Sequence, residues 1–264
     1  MHAPAKAPFI PTIRKTIMKR LISGTSVAIT LALAFASAHA QEAATPDTSL
    51  TFNAAGVSDY RYRGISQTRL QPALQGGADW TDNRNGVYVG AWASTIKWTK
   101  DAGGDGSVEI DVYAGKRGDI GGGFTYDVGV LGYAYPSNDL HPSADTLEVY
   151  GQVGYGPATL KYSHAATNLF GFADSKNIGY LDAALNQDVG GGFVLNLHAG
   201  RQTIRNHAIA EYTDWKAGVT KDFGVASVAL AYVGTNADKG AYASPVNGKF
   251  TGRDAVVLTV SKVF

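Results

Sequence analysis

Residues 145–165 read DTLEVYGQVGYGPATLKYSHA and contain the pattern that decides the fold. Leu147 and Val149 alternate with Glu148 and Tyr150, a short YGPA turn follows, and a second alternating stretch begins after it. Successive side chains of a β-strand point to opposite faces of the sheet. The stretch therefore predicts two antiparallel strands, each with one apolar face and one polar face.

The same pattern recurs along the chain and sets the fold class. About twelve alternating segments begin near residues 49, 72, 86, 107, 123, 145, 158, 176, 193, 212, 225 and 253. Short connectors such as DNRNG and DVGGG alternate with long ones such as PSNDLHPSAD. Outer-membrane barrels have this rhythm of short periplasmic turns and long extracellular loops. We predict an all-β fold, a transmembrane antiparallel up-and-down β-barrel of about 12 strands over residues 41–264.

The composition excludes several other classes of protein. The chain of 264 residues has no cysteine, 32 glycines and 14 tyrosines, and its mean hydropathy is −0.09. A cysteine-free chain is neither a disulfide scaffold nor a cysteine-ligated zinc protein. No segment of the mature chain approaches the length of a helical membrane span. Near-neutral hydropathy is compatible with a membrane barrel, because half of each strand is polar.

The first 40 residues predict an export signal. Basic residues precede the uncharged run LISGTSVAITLALAFASAHA, which ends in an A-x-A cleavage site at residue 40. We therefore expect residues 1–40 to be a cleaved signal peptide, with Met18 as an alternative start, and a retained membrane anchor as the other interpretation. Residues 1–40 hold five of the 23 basic residues and no acidic one, so the mature chain has 18 against 22, a net charge of −4. This charge argues against a nucleic-acid partner.

The stretch SDYRYRGISQT at 58–68 extends the first strand in this interpretation. Its tyrosines share the phase of Leu50 and Phe52 and would face lipid, while the residues between them would face the lumen. The predicted aromatic girdle consists of Tyr60, Tyr62, Trp80 and Trp215.

The opposite phase of each strand gives the predicted pore lining. It consists of Asp59, Arg61, Arg63, Gln75, Asp79, Glu109, Asp111, Asp127, Glu148, Lys161, Asp182, His198, Asp214 and Lys216. Eight acids against four lysines and arginines predict a mild cation preference if the lumen is open. The alternative is that these charges pair across the lumen as struts or that side chains fill it. The phase is ambiguous for the strands near 86–96 and 225–234.

Several segments resemble one known family. VSDYRYRGISQT, PALQGGADW, VYVGAWAS, EIDVYAGK, LEVYGQVG and LKYSHAATN are similar to segments of the TorF family of bacterial porins, over essentially the whole mature chain. The first of these segments is the most specific. The resemblance implies an outer-membrane barrel that passes small solutes, without indicating which solute.

The C-terminus resembles a bacterial assembly signal. Phe264 closes the alternating segment VVLTVSKVF, although Lys262 interrupts its apolar phase. We expect the barrel-assembly machinery to read this end during insertion. The expected location is the cell outer membrane, and the expected partners are its lipid and small solutes.

Catalytic and metal sites are not indicated. Ser163 and His164 are adjacent and would point to opposite faces of a strand, so they cannot act as nucleophile and base. The loop DAGGDGSVEID at 101–111 spaces acids like a calcium loop, but Val112 occupies the position where a bidentate Glu is needed. We expect no enzymatic activity, no metal and no cofactor, and a solvated acidic loop at 101–111.

Two functions of different classes remain open from the sequence. One is a porin for small hydrophilic solutes or ions. The other is a non-conducting barrel with a structural, adhesive or receptor role for its long loops, especially 235–253. A soluble ligand-binding barrel in the periplasm is a third, which would have no need for a terminal Phe264 or tyrosine girdles.

Overall fold

The computed structural model describes residues 46–264, and they form a closed antiparallel β-barrel of twelve strands. The predicted signal peptide at residues 1–40 lies outside the described residues. Each barrel strand pairs with its neighbours in sequence, and the last strand closes on the first, with Asn53 opposite Val263. The predicted fold class is confirmed.

The barrel strands have 8 to 14 residues, which suits a tilted membrane-spanning strand of roughly 9–11 residues. They are β1 (Thr48–Val57), β4 (Ala73–Asp82), β5 (Val87–Thr95), β6 (Val108–Gly121), β7 (Phe124–Ala134), β8 (Thr146–Tyr155), β9 (Ala158–Ala165), β10 (Ile178–Gly190), β11 (Phe193–Gln202), β12 (Tyr212–Asp222), β13 (Ser227–Thr235) and β14 (Ala255–Val263). All twelve begin within two residues of the predicted starts, because alternation marks them directly.

Four small elements lie between the barrel strands. β2 (Arg61–Tyr62) and β3 (Ile65–Ser66) form a separate two-stranded hairpin after β1. A short helix α1 (Trp98–Asp101) follows β5, and a 3₁₀ turn (Ala208–Ala210) precedes β12. None of the helices within residues 46–264 has the length and apolarity needed to cross a membrane.

The outer wall of the barrel is apolar and the inner wall is polar. Leu50, Phe52 and Val149 are outward-facing and about half exposed, whereas Glu148 beside Val149 is almost fully buried inside. The sequence left open which phase of the strand near 86–96 faces the lumen. Trp92 is 2% exposed, so its phase faces inward. Near 225–234 the exposed Leu230 and Tyr232 face outward. An apolar exterior over a polar interior is the arrangement of a membrane barrel.

Tyrosines pack over glycines along the inner wall. The ring of Tyr180 on β10 covers Gly200 on β11, and that of Tyr113 on β6 covers Gly90 on β5. A Cβ atom at either glycine would overlap the tyrosine ring. Glycine at these positions therefore lets a large ring lie flat against the neighbouring strand, which fixes where its hydroxyl group points.

Candidate functional site in the barrel lumen

The loop between the first two barrel strands folds into the lumen. Val57 at the end of β1 is paired with Ala73 at the start of β4, so residues 58–72 leave and rejoin the wall at adjacent points. We call residues 58–72 the lumen hairpin. Ser66 and Thr68 within it are 1% exposed, and Tyr60 is 3% exposed. Residues 59–68 are all buried or half-buried, as expected for an element inside a barrel.

The tip of the lumen hairpin is a tight turn at Arg63 and Gly64. Arg61 pairs with Ser66 and Tyr62 with Ile65, and the two residues between them have φ of 46° and 78°. Two-residue hairpin turns of type I′ need positive φ at both central positions. Glycine adopts this conformation freely, whereas it is uncommon for an arginine. The turn brings the arginine side chain to the end of the hairpin.

Arg61 fastens the hairpin to the loop that follows β13. Its Nε donates to Asp59 Oδ2 at 2.6 Å, and its Nη1 donates to the backbone carbonyls of Gly64, Thr251 and Arg253 at 2.9, 3.1 and 2.9 Å. Because its donors reach both segments, this arginine acts as a staple between the hairpin and the loop 236–254.

Arg63 connects the hairpin tip to the far wall. Its Nη2 donates to both carboxylate oxygens of Glu148, at 2.9 and 2.8 Å, and its Nη1 donates to Gln202 Oε1 at 2.7 Å. The side chains of Arg63 and Glu148 are 7% and 2% exposed. Glu148 lies on β8, nearly opposite β1 in the ring of strands, so the hairpin crosses the lumen.

Two tyrosines enclose the guanidinium group of Arg63. Its Cζ lies 4.8 Å from the ring centroid of Tyr62 and 4.2 Å from that of Tyr180. Tyr62 also bonds Tyr133, with 2.6 Å between the hydroxyl oxygens, and Tyr133 donates to Glu148 Oε2 at 3.2 Å. The carboxylate, amide and rings therefore form a continuous network around one cation, with cation–π contacts on two sides.

The prediction that Tyr60 and Tyr62 form a lipid-facing girdle is wrong. Tyr60 is buried, donates its hydroxyl group to Glu109 Oε1 at 3.1 Å and packs edge-on against Trp92. The prediction extended the phase of β1 beyond Val57, where the strand ends. Once the chain leaves the wall, alternation no longer separates lipid from lumen.

The other predicted girdle residues face outward. Trp80 is 41% exposed and Trp215 is 37% exposed. Further aromatic residues, outside the predicted girdle, lie at the short-turn end. There the ring centroids of Phe124 and Tyr155 are 4.7 Å apart. Both are about half exposed on the outer wall.

The structure places the predicted pore-lining residues in two groups. Asp59, Arg61 and Arg63 belong to the lumen hairpin rather than to the wall. The remaining residues lie at inward positions of the barrel strands: Gln75, Asp79, Glu109, Asp111, Asp127, Glu148, Lys161, Asp182, His198, Asp214 and Lys216. Those eleven alternate with exposed outward neighbours, so their inward phase follows the predicted one.

The half of the lumen near the long loops excludes water. Glu109, Asp111 and Asp214 are each 1% exposed, and Glu148 is 2% exposed. Carboxylates lining an open aqueous channel would be accessible to water. The hairpin and the tyrosines around it therefore close this half in the structure.

Tyrosines and charged side chains pair in the half of the lumen near the short turns. Asp79 and Asp127 accept hydrogen bonds from Tyr113 and Tyr88, both at 2.5 Å. Lys161 lies with its Nζ 4.0 Å from the ring centroid of Tyr150. Asp127, Lys161 and the three tyrosines are 2–8% exposed, and Asp79 is half-buried. Side chains therefore fill much of this half of the lumen as well.

His198 bridges two acids on adjacent strands. Its Nδ1 lies 3.3 Å from Asp182 Oδ2, and its Nε2 lies 2.7 Å from Asp214 Oδ2. Tyr180 donates to the other oxygen of Asp214 at 2.8 Å. This group pairs charges along the wall, whereas the strut alternative has charges pair across the lumen, as Arg63 and Glu148 do.

Two acids next to the hairpin keep unpaired oxygens. Glu109 Oε2 and Asp111 Oδ1 are buried and have no hydrogen-bond partner within residues 46–264. Both residues lie on the inner face of β6, two positions apart. These two oxygens are therefore acceptor sites inside the lumen that the arginines of the hairpin, already bonded elsewhere, do not occupy.

The long loops pack over the closed half. Asp101 accepts hydrogen bonds from Arg69 of the hairpin and, at 3.0 Å, from the hydroxyl group of Ser244. The hydrogen bond to Asp101 raises the pKa of Arg69, and burial raises the pKa of Tyr242 in the same loop as Ser244. The loop at 101–111, expected to be solvated, thus joins the hairpin to the loop 236–254.

The tyrosines of the lumen were missing from the predicted lining. Tyr88, Tyr113, Tyr133, Tyr150, Tyr180 and Tyr212 are 2–8% exposed and lie at inward positions. Their phase could have identified some of them, since Tyr113 alternates in step with Glu109 and Asp111. Within residues 46–264, no group of three or more His, Asp or Glu side chains is arranged to hold a metal ion.

A closed barrel of twelve strands with an apolar exterior and a charged, tyrosine-rich lumen defines a porin-like barrel. The chain belongs to the Gcw_chp family, described as bacterial protein of unknown function, whose model matches residues 40–264. No curated protein matches the chain.

Solved structures similar to this barrel include outer-membrane porins. The NanC porin has a TM-score of 0.50 at 10% identity, covering 81% of this chain and 98% of that one. The KdgM porin in complex with disordered oligogalacturonate has a TM-score of 0.49 at 5% identity, with coverage of 82% and 98%. LpxR from Salmonella typhimurium has a TM-score of 0.41 at 11% identity, with coverage of 81% and 99%. At such identities the likeness concerns the fold alone.

Proposed function

We propose that the protein is an outer-membrane porin, exported by a cleaved signal peptide at residues 1–40, that passes small hydrophilic solutes or ions. Passage requires the lumen hairpin to move, because it fills the half of the lumen near the long loops. The resemblance of VSDYRYRGISQT to the TorF porins supports this proposal. This segment carries the most specific part of the resemblance, and it overlaps the lumen hairpin.

The charge of the lumen supports a mild cation preference. The eight acids and four lysines and arginines of the predicted lining all lie on the hairpin or at inward wall positions. Rings of acidic side chains lower the electrostatic barrier for cations. The unpaired oxygens of Glu109 and Asp111 make these two acids the strongest candidates for that effect. The proposal includes no enzymatic step.

A non-conducting barrel with a receptor or adhesive role is the second candidate. The water-excluded half of the lumen and the contact between Asp101 and Ser244 favour it, because they stabilise a closed arrangement of loops. Conductance of the refolded mature protein in a planar bilayer separates the two candidates. Discrete steps support the porin, whereas a folded barrel that inserts and stays silent supports the second candidate.

Neutralising the two acids on β6 should lower the cation preference. The variant Glu109→Gln/Asp111→Asn reduces the excess of acids over lysines and arginines in the lining from four to two. Glutamine still accepts the hydrogen bond from Tyr60, so the hairpin keeps its contact. We expect the reversal potential in a salt gradient to move about halfway toward the non-selective value. Asp105→Asn/Asp174→Asn, two exposed acids in long loops, is the matched control and should not move it; an equal shift in both variants would contradict the assignment.

Deleting Phe264 should lower the amount of barrel in the outer membrane severalfold. The residue ends the chain beside Phe52, exchanging backbone hydrogen bonds of 2.8 and 3.3 Å, while its ring is 68% exposed and available to a partner. Fractionation of membranes and immunoblotting would measure the effect. Phe223→Ala, an exposed ring at a short turn, serves as control. Unchanged levels after the deletion would exclude an assembly signal at this residue.

A further inference from the structure

The planar cationic group of Arg63 is held by residues of the barrel wall. Glu148 on β8, Tyr180 on β10 and Gln202 on β11 belong to the wall, whereas the group that they hold belongs to the lumen hairpin. We call these three residues the guanidinium cradle. The geometry points to the cradle as a solute site for guanidinium-bearing compounds, which Arg63 occupies as a tethered ligand.

The cradle matches the shape of a guanidinium group. Two different nitrogens of Arg63 are held at once, one by the Glu148 carboxylate at 2.8 and 2.9 Å and one by Gln202 at 2.7 Å. The ring of Tyr180 lies 4.2 Å from the guanidinium carbon. A flat cation with several donors satisfies acceptors and ring together, whereas an ammonium group is a compact point charge.

The cradle is also fixed independently of Arg63. Tyr180 packs over Gly200 and donates to Asp214, and Tyr133 donates to Glu148. Gln202 donates from its amide nitrogen to the carbonyls of Gly179 and Thr203, at 3.2 and 3.0 Å, leaving its oxygen to accept. Removing the arginine side chain would therefore leave a preorganised space with a carboxylate that has lost its ion-pair partner.

The tethered arginine explains how such a site would act in a porin. A group tethered in the same chain competes at an effective concentration of about millimolar or more. A free guanidinium compound must displace it, and displacement releases the hairpin tip from the far wall. This inference rests on the proposed porin function and names cations with a guanidinium group as its solute class.

The test uses the refolded mature protein in detergent, titrated calorimetrically with methylguanidinium. We expect Arg63→Ala to bind methylguanidinium at least tenfold more tightly than the wild type does. The double variant Arg63→Ala/Glu148→Gln should bind it no more tightly than the wild type. Methylammonium, the matched probe without a planar fork, should bind Arg63→Ala at least tenfold more weakly than methylguanidinium does. Equal affinity for methylguanidinium in all three proteins, or no binding by folded Arg63→Ala, would overturn the inference.

The difference in migration between unboiled and boiled samples reports whether each variant is folded. If Arg63→Ala does not fold, Arg63→Gln replaces it with the same expected results. The titration needs no conduction, so a silent bilayer recording would refute the porin proposal without deciding this one.

Discussion

A barrel without its lumen hairpin should conduct in discrete steps several times larger than those of the wild type. The variant joins Val57 to Ala73 by a short Asn-Gly turn in place of residues 58–72. The two residues are already paired across β1 and β4, so a tight turn can connect them without altering the wall.

The large effect follows from where the hairpin lies. Eight-stranded barrels are filled by their own side chains and barrels of about 16 strands leave an aqueous channel, so twelve strands are an intermediate case. Here the hairpin supplies much of the filling, since Tyr60, Ile65 and Ser66 are all buried within the lumen. Its removal exposes Glu109 and Glu148 to water, and the open channel should prefer cations.

Single-channel recording in a planar bilayer measures the effect, with migration of unboiled samples as the test of folding. A matched control replaces residues 245–249, the exposed tip of another long loop, by the same turn and keeps the hairpin. This control should conduct like the wild type. A folded hairpin-deleted barrel that stays silent would mean that the wall side chains alone close the lumen.

The strands could be predicted from the sequence because each residue's polarity matches the face of the wall, lipid or lumen, on which it lies. In β6 the apolar Val108, Ile110 and Val112 face outward and the acids between them face inward, so local alternation encodes the wall. The connectors then give the direction of each strand. Neither inference needs knowledge of distant contacts.

The hairpin could not be predicted by the same reasoning. Its residues 59–68 are all buried or half-buried, so it carries no alternation, and its partners Glu148, Gln202 and Thr251 are distant in sequence. One local signal was available: Arg63-Gly64 between Tyr62 and Ile65 is a two-residue turn flanked by strand-forming residues. That signal predicts a hairpin but not the side of the wall on which it folds.

Glu148→Met should destabilise the barrel by about 3–5 kcal/mol, because it leaves the guanidinium group of Arg63 buried without its counter-charge. The double variant Arg63→Met/Glu148→Met should lose much less. Buried ion pairs are costly to desolvate, and replacing both partners by apolar side chains of similar volume is often nearly neutral. The expected result is therefore a strong non-additivity between a residue at the hairpin tip and its partner on the far wall.

Equilibrium unfolding in urea, followed by tryptophan fluorescence in lipid vesicles, would measure the four members of the cycle. Urea is preferred to guanidinium chloride, since guanidinium could itself enter the cradle. The exposed pair Arg84–Asp47, 3.2 Å apart with side chains 64% and 65% exposed, provides the matched cycle and should show coupling close to zero. Additive effects for Arg63 and Glu148 would contradict a paired, buried contact.

The same cycle links stability to conduction. If the pair holds the hairpin tip on the far wall, Glu148→Met should weaken the closed arrangement specifically, and its bilayer recordings should show longer open times than those of the wild type. The apolar double variant keeps the tip packed against Tyr180 and should remain mostly closed. A variant that lost stability without any change in open time would show that the pair supports the wall and does not control the position of the hairpin.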